Sequence, residues 1–285
     1  MAGKTIRASK VGSFGRMLAK LPSGCALLYP LYLAAQLDTV EEIYVSPLVP
    51  KAFEGWKIAF VTDIHYGSLL NESRVRALAE RVNAWRADMI LLGGDYGEDA
   101  QGAVDFWNLR PGFRAKRCVA ATVGNHDRTL PEGSLHDILA AMKADGVTPV
   151  INGAVRLEKD GAVMALASAD DFYNGEPDLA QTKSACVGAD YTIFFPHNPD
   201  ILPETFQMPG GPFYQLALCG HTHGGQVAVL GRALKSPSNY GNRFLTGWHR
   251  ENGVDILVSN GVGTSMLPVR FGARPQVHLI TLKRE

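Results

Sequence analysis

The first 37 residues contain no carboxylate, the earliest being Asp38. Lys4, Arg7, Lys10, Arg16 and Lys20 therefore stand as local positive charge in a chain whose formal net charge is zero. That overall balance removes the global field with which a protein grips a nucleic-acid backbone, so no nucleic-acid partner is expected. Cysteine is scarce as well. Cys25, Cys118, Cys186 and Cys219 are scattered without CxxC spacing, two of them inside apolar runs, which excludes a zinc ribbon or a disulfide framework and leaves reduced core thiols. No apolar run approaches the roughly 20 residues that a spanning helix needs. The nearest, "ALLYPLYLAAQL" at 26–37, is interrupted by Pro30. Repeats and low-complexity segments are absent too. What remains is globular composition, 46% hydrophobic and 20% charged over 285 residues.

Phe14, Met17, Leu18 and Leu21 fall at i, i+3, i+4 and i+7, with Arg16 and Lys20 on the opposite side and Ser13 placed as an N-cap. A basic amphipathic turn of this kind lies on an anionic membrane surface, and 26–37 suits an interfacial segment. Residues 1–50 are read as a basic N-terminal segment that contacts a membrane surface through 1–37 and leads into the first strand. Residues 51–285 are read as the main domain. Two alternatives stand beside this. One is a helix pair packed on the domain's own core. The other is an export signal, although Leu33 fits an A-x-A cleavage site poorly and no twin arginine is present.

From residue 40 onward, short apolar runs alternate with helix-period stretches. "WKIAFVTD" (56–63), "DMILLGGD" (88–95), "RCVAATVGNHD" (117–127), "YTIFFPHN" (191–198) and "YQLALCGHTH" (214–223) are too continuously apolar for half-exposed strands. "NESRVRALAERVNAW", with Asn71 as N-cap, and the stretch from Asp99 to Asn108 read as helices between the first three. The pattern predicts an α/β sandwich with parallel strands in its middle.

Each of these five strands ends in residues that ligate metals or carry protons: Asp63 and His65; Asp95; Asn125, His126 and Asp127; His197; His221 and His223. A single Asp after a strand is more often a cap, and a lone His pair after a strand is equally a solvated loop or a phosphate-binding turn. Five such ends are different, because ligand sites of α/β folds lie at the carboxyl ends of strands and would gather these groups in one crevice. Mixed imidazole, carboxylate and amide donors suit manganese, iron or zinc, and so many exceed what one tetrahedral ion takes up. Two divalent ions are therefore expected.

"TDIH" (62–65), "GGD" (93–95), "GNHD" (124–127), "PH" (196–197) and "GHTH" (220–223) resemble the five ordered blocks of the calcineurin-like metallophosphoesterases. With "GHTHGGQ", the tail "GVGTSMLPVRFGARPQVHLITL" (261–282) resembles a bacterial branch of membrane-associated phosphodiesterases, which includes hydrolases of UDP-2,3-diacylglucosamine. The resemblance implies a four-layer αββα sandwich of two mixed β-sheets flanked by helices. It implies one metal on Asp63, His65, Asp95 and His223 and a second on Asp95, Asn125, His197 and His221, with Mn²⁺ first and Zn²⁺ or Fe²⁺ as alternatives. It places His126 at the leaving-group oxygen as general acid, and Asp127 as the partner that orients its ring. Tyr96 directly follows Asp95, instead of standing three residues on as in purple acid phosphatases, which argues against a ferric site. Arg128 and Arg270 are the candidate phosphate clamps.

The expected activity is metal-dependent hydrolysis of a phosphodiester or pyrophosphate, lipid-linked if the N-terminus rests on a membrane. The expected location is then the cytoplasmic face of the inner membrane, with export as the alternative. A soluble nucleotide phosphodiesterase, or a metal-stabilised scaffold without turnover, are the rival readings, the second opposed by His126.

Overall fold

The structure, a computed structural model, describes residues 4–7 as backbone and residues 28–67, 69–129, 134–233 and 236–285. Cys25 and the expected amphipathic turn from Ser13 to Leu21 lie outside the described residues.

Alternation along the buried strands builds the layers. In β3 (Lys57–Val61), Ile58 and Phe60 point into a core shared by two sheets, while Ala59 and Val61 point to the other face and meet helices. The larger sheet has the order β1 (Lys4–Arg7), β2 (Asp38–Val45), β15 (Gln276–Lys283), β3, β4 (Met89–Leu92), β5 (Cys118–Ala121) and β6 (Thr148–Pro149). The second runs β13 (Gly247–Glu251), β14 (Val254–Val258), β10 (Leu216–Cys219), β9 (Tyr191–Phe194), β8 (Ala162–Ser168) and β7 (Gly153–Lys159). β3 to β6 are mutually parallel, as are β8, β9, β10 and β14, whereas β15 enters antiparallel to β3. Both sheets are therefore mixed.

Phe60, Leu91 and Ile280 from the first sheet pack with Leu166, Ile193 and Leu218 from the second to fill the layer between them. Outside the first sheet lie α2 (Glu72–Ala84), α3 (Ala100–Asn108) and α4 (Ser134–Ala144). α5 (Leu179–Ala185) and α6 (Leu202–Phe206) cover the second sheet. This is the expected four-layer αββα sandwich. Val75, Leu78, Ala79 and Val82 give α2 its buried stripe, and the Asn71 side chain accepts from the Arg74 amide to start the helix. Asp99 caps α3 in the same way, through the Gly102 amide.

Strands upstream of residue 51 belong to the large sheet. β2 pairs with β15 along eight residues, and β1 pairs with the outer side of β2. The reason is the direction of β15, which brings the chain terminus into the middle of the sheet and needs a partner on both sides. α1 (Tyr29–Ala34), from the stretch expected to be interfacial, buries Leu33 and Ala34 and leaves Leu28 and Leu31 exposed. Three hairpins close on two-residue turns whose central residues both have positive φ. These are Asp160–Gly161 between β7 and β8, Asn252–Gly253 between β13 and β14, and Leu230–Gly231 between β11 (Ala228–Val229) and β12 (Arg232–Ala233).

Candidate metal centre

The loops that follow β3, β4, β5, β9 and β10 converge on one cleft, and among the described residues its donor groups form two Asp/His sets beside a third grouping, His65 with Glu98 and His126. Asp63, His65 and His223 form the first, with their ligand atoms all within 4.8 Å of one another. His223 Nε2 lies 3.1 Å from His65 Nε2 and 3.5 Å from Asp63 Oδ1. Asp95, His197 and His221 form the second under the same limit, and His221 Nδ1 stands 2.8 Å from Asn125 Oδ1. One oxygen, Asp95 Oδ2, joins the sets at 3.2 Å from His197 Nε2 and 3.6 Å from His65 Nε2. All seven side chains expected to ligate are thus brought together.

The backbone is bent to do this. Asp63, His65, Asp95, His221 and His223 all have positive φ, between 47° and 69°. Such conformations cost about 1–3 kcal/mol each and persist where the surroundings impose them, which marks a site built for its side-chain directions. Glycine makes room beside them. A methyl group on Gly124 would overlap the Asp95 carboxylate, and one on Gly220 would overlap Thr62 and Asp63.

The donor chemistry fits divalent cations. Neighbouring donors 2.8–3.6 Å apart match ligands of one ion at about 2.0–2.2 Å from each. His197 Nε2, which faces Asp95 Oδ2 at 3.2 Å, is buried without a hydrogen-bond partner, a loss that a bound cation would offset. Burial pushes His65 and His221 down to about 3, so both rings are neutral with lone pairs to give. Burial, reinforced by Arg270, also holds His223 well below its ordinary range. Asp63 is pushed up to about 6, chiefly by burial.

His197 is the exception. Burial opposes its charge, but Asp95, with Asp63 and Asp171, overrides that and holds the ring up at about 10. Its Nδ1, 2.8 Å from the Gly93 carbonyl, must donate, so the proton lost on ligation leaves from Nε2. The sign of the linkage follows. A ring that is protonated at neutral pH must release its proton to bind a cation, so affinity rises with pH everywhere below about 10. The Kd for Mn²⁺ is expected to fall about tenfold per pH unit between about pH 6 and 8, with about one proton released, as read by calorimetry in buffers of different ionisation enthalpy. A Kd independent of pH would show that His197 carries no proton in the metal-free chain.

Asp127 is not the partner of the His126 ring. Its buried carboxylate accepts from the amides of Asp95, Tyr96 and Gly124, at 2.8, 2.9 and 2.8 Å. The turn after β5 points the side chain back at the β4 loop, away from its sequence neighbour. His126 is held instead by the Glu98 carbonyl, 2.6 Å from its Nδ1. Asp127→Asn should therefore act on stability. An amide offers one acceptor oxygen where the carboxylate has two, so an N–H is left facing NH₂, at a cost of about 1–3 kcal/mol. Thermal denaturation reads this as a lower Tm, and an unchanged Tm with lost activity would restore a direct role at His126.

The two arginines differ in how far they are committed, since Arg128 keeps a buried Nε without a hydrogen-bond partner. Arg128 gives Nη2 to Asp170 at 2.7 Å. Arg270 is fully buried, donating to the carbonyls of His223 and Gly263 and lying 3.0 Å from His223 Nδ1. It ties the loop after β14 to the His223 loop, a role that sequence reasoning missed. Glu98 was also missed, since a backbone carbonyl leaves no sequence signal. Tyr96 is buried and its hydroxyl donates to the Thr122 carbonyl, in keeping with its exclusion as a ligand. Cys219 faces the helices on the outer side of the second sheet.

The cleft has a volume of about 560 Å³. Its lining combines the polar groups Asp95, His126, His221 and His223 with the apolar residues Val227, Pro237, Met266 and Leu267. A two-set Asp/His floor at the strand ends of an αββα sandwich defines a metal-dependent phosphoester hydrolase. Residues 57–225 match the calcineurin-like phosphoesterase family, and the chain belongs to it. It is 30% identical over 283 residues to the uncharacterised metallophosphoesterase YkuE of Bacillus subtilis, spanning 95% of each chain. It is 27% identical over 231 residues to the phosphodiesterase YaeI of Escherichia coli, across 80% of this chain and 82% of that one. Among solved structures, the phosphopantetheinyl hydrolase of Mycobacterium tuberculosis superposes with a TM-score of 0.46 at 12% identity, covering 75% of this chain and 90% of that one.

Proposed function

We propose that the chain hydrolyses a phosphodiester or pyrophosphate with two divalent cations, one on Asp63, His65, Asp95 and His223 and the other on Asp95, Asn125, His197 and His221. The observation that carries this reading is the place of Asp95 Oδ2 between the two donor sets. When bound, the cations supply Lewis acidity toward the phosphoryl oxygens and lower the pKa of a water. The chain's own residues position and move the proton. His126 donates Nδ1–H to the Glu98 carbonyl, which fixes the ring and leaves Nε2 to hold the proton destined for the leaving oxygen. Mn²⁺ is the first choice for this mixed donor set, and Zn²⁺ or Fe²⁺ fit the same atoms.

Apolar residues lining the same cleft as the polar groups suit a phosphoester that carries an apolar group. Together with the acid-free basic segment 1–37, that favours a lipid-linked substrate, of which UDP-2,3-diacylglucosamine is the sharpest candidate. The protein would work as a peripheral enzyme at the cytoplasmic face of the inner membrane, with residues 51–285 as the catalytic unit and β1 and β2 completing its sheet. The test is a hydrolysis screen of lipid-linked and soluble phosphoesters with added Mn²⁺. Turnover of lipid-linked compounds well above soluble ones is expected. Preference for soluble nucleotide diesters would replace the lipid reading, and no Mn²⁺-dependent turnover of any diester would overturn the whole.

A further inference from the structure

Three exposed apolar segments adjoin one another, and one of them, the loop after β14, lines the cleft with Met266 and Leu267. α1 shows Leu28 and Leu31 to solvent, the loop after β14 shows Met266, Leu267 and Phe271, and the hairpin β11–β12 shows Leu230. They are joined through the backbone. The Arg270 amide donates to the Pro30 carbonyl, the Ala228 amide donates to the Phe271 carbonyl, and Gln226 bonds the amide and carbonyl of Ser265. The rings of Tyr29 and Phe271 meet edge to face at 6.1 Å.

Two of these side chains stand in backbone positions that suit them poorly. The other two positive-φ hairpin turns use Asp160–Gly161 and Asn252–Gly253, the residues such turns favour. The third places Leu230 at φ 51°, with 99% of its surface exposed. Met266 likewise sits at φ 62° and is 91% exposed. A non-polar residue held at positive φ with almost all of its side chain in solvent offsets that backbone cost only if something apolar covers it.

We propose that this face docks onto the headgroup and acyl boundary of an anionic bilayer, with the mouth of the cleft turned toward the lipid. Charge identifies the occupant. Arg74 and Arg81, both exposed, flank the end of α1, which itself carries no charge, and residues 1–37 hold five cations and no acid; the acid that meets the face is Glu98, whose carboxyl accepts from the Met266 backbone. Apolar tips on separate loops, with cations beside α1, insert among lipids that rearrange around them, whereas a protein partner requires a continuous complementary surface. The substrate phosphoester would then reach the cleft from the bilayer; this last step rests on the lipid-linked reading above.

The experiment uses the full chain and the double variant Leu31→Gln, Leu230→Asn, neither residue lying on the cleft wall. Asn accepts left-handed φ and Gln suits a helix, so Tm and hydrolysis of bis(p-nitrophenyl) phosphate with Mn²⁺ should hold. Partitioning onto vesicles of phosphatidylcholine with phosphatidylglycerol should exceed that onto phosphatidylcholine alone, and should fall at least about tenfold in the variant. Equal partitioning of the variant and the parent chain would overturn the proposal. So would a dimer, seen by light scattering, that the variant dissolves, since the face would then cover a second copy. A chain that binds vesicles but cleaves no diester keeps the docking face and loses the functional reading; one that cleaves the soluble diester but ignores vesicles does the reverse.

Discussion

Asp95→Asn is expected to abolish hydrolysis, by more than about 10³-fold in kcat, and to lower bound metal at both positions at once. A single transition-state donor contributes about 10²–10³-fold when removed, and Asp95 serves two cations, so its loss should exceed that range. The geometry says why no neighbour substitutes. Oδ2 is the atom within 3.6 Å of ring nitrogens from both donor sets, while Oδ1 is committed to the His126 amide at 2.9 Å. Asparagine keeps the volume and one acceptor, so the fold should persist, which circular dichroism and Tm would check. Elemental analysis after desalting should find both equivalents depleted. Asp63→Asn is the control, since its carboxylate belongs to one donor set and should release one equivalent first. Retention of both metals with normal kcat in Asp95→Asn would show that the carboxylate does not bridge.

The same residue shows how much of the site was legible beforehand. Strands buried on both faces read as unbroken apolar runs, so the ends of β3, β4, β5, β9 and β10 could be located, and with them Asp63, Asp95, Asn125, His197 and His221. The caps Asn71 and Asp99 were legible for a similar reason, being local devices set by a side chain and an amide three residues on.

What stayed hidden was non-local. The insertion of β15 between β2 and β3 depends on a pairing across more than two hundred residues, and alternation within one strand does not reveal its partner. The partner of His126 is a carbonyl, present in every residue, so Glu98 carried no signal. Adjacency made Asp127 look like the orienting group, but successive residues in a tight turn point in different directions, and this one points at amides of the β4 loop. Arg270 stood near the motifs as a candidate clamp and proves to be buried, because the loop after β14 folds back beneath the His223 turn.

His126→Ala should separate proton transfer from cation binding. The ring approaches the site from the rim: it lies 4.8 Å, centroid to centroid, from His65 and is half-buried, whereas the rings expected to ligate are buried. Asp95, followed by the Glu98 carbonyl and carboxylate, raises its affinity for a proton against the effect of burial. A histidine whose proton affinity is raised at the edge of the site is suited to deliver a proton to the leaving oxygen, and removing it should lower turnover by about 10²- to 10⁴-fold for an alkyl leaving group. Metal content should stay near that of the parent chain, since the residue's amide, and not its ring, bonds Asp95. The decisive comparison is between leaving groups. p-Nitrophenolate departs without protonation, so its release should fall far less than release of an alcohol. The alkaline decline in the rate of alcohol release, which marks loss of the ring proton, should vanish in the variant. Equal losses with both leaving groups, and an unchanged pH profile, would instead assign the ring to holding the phosphoryl group.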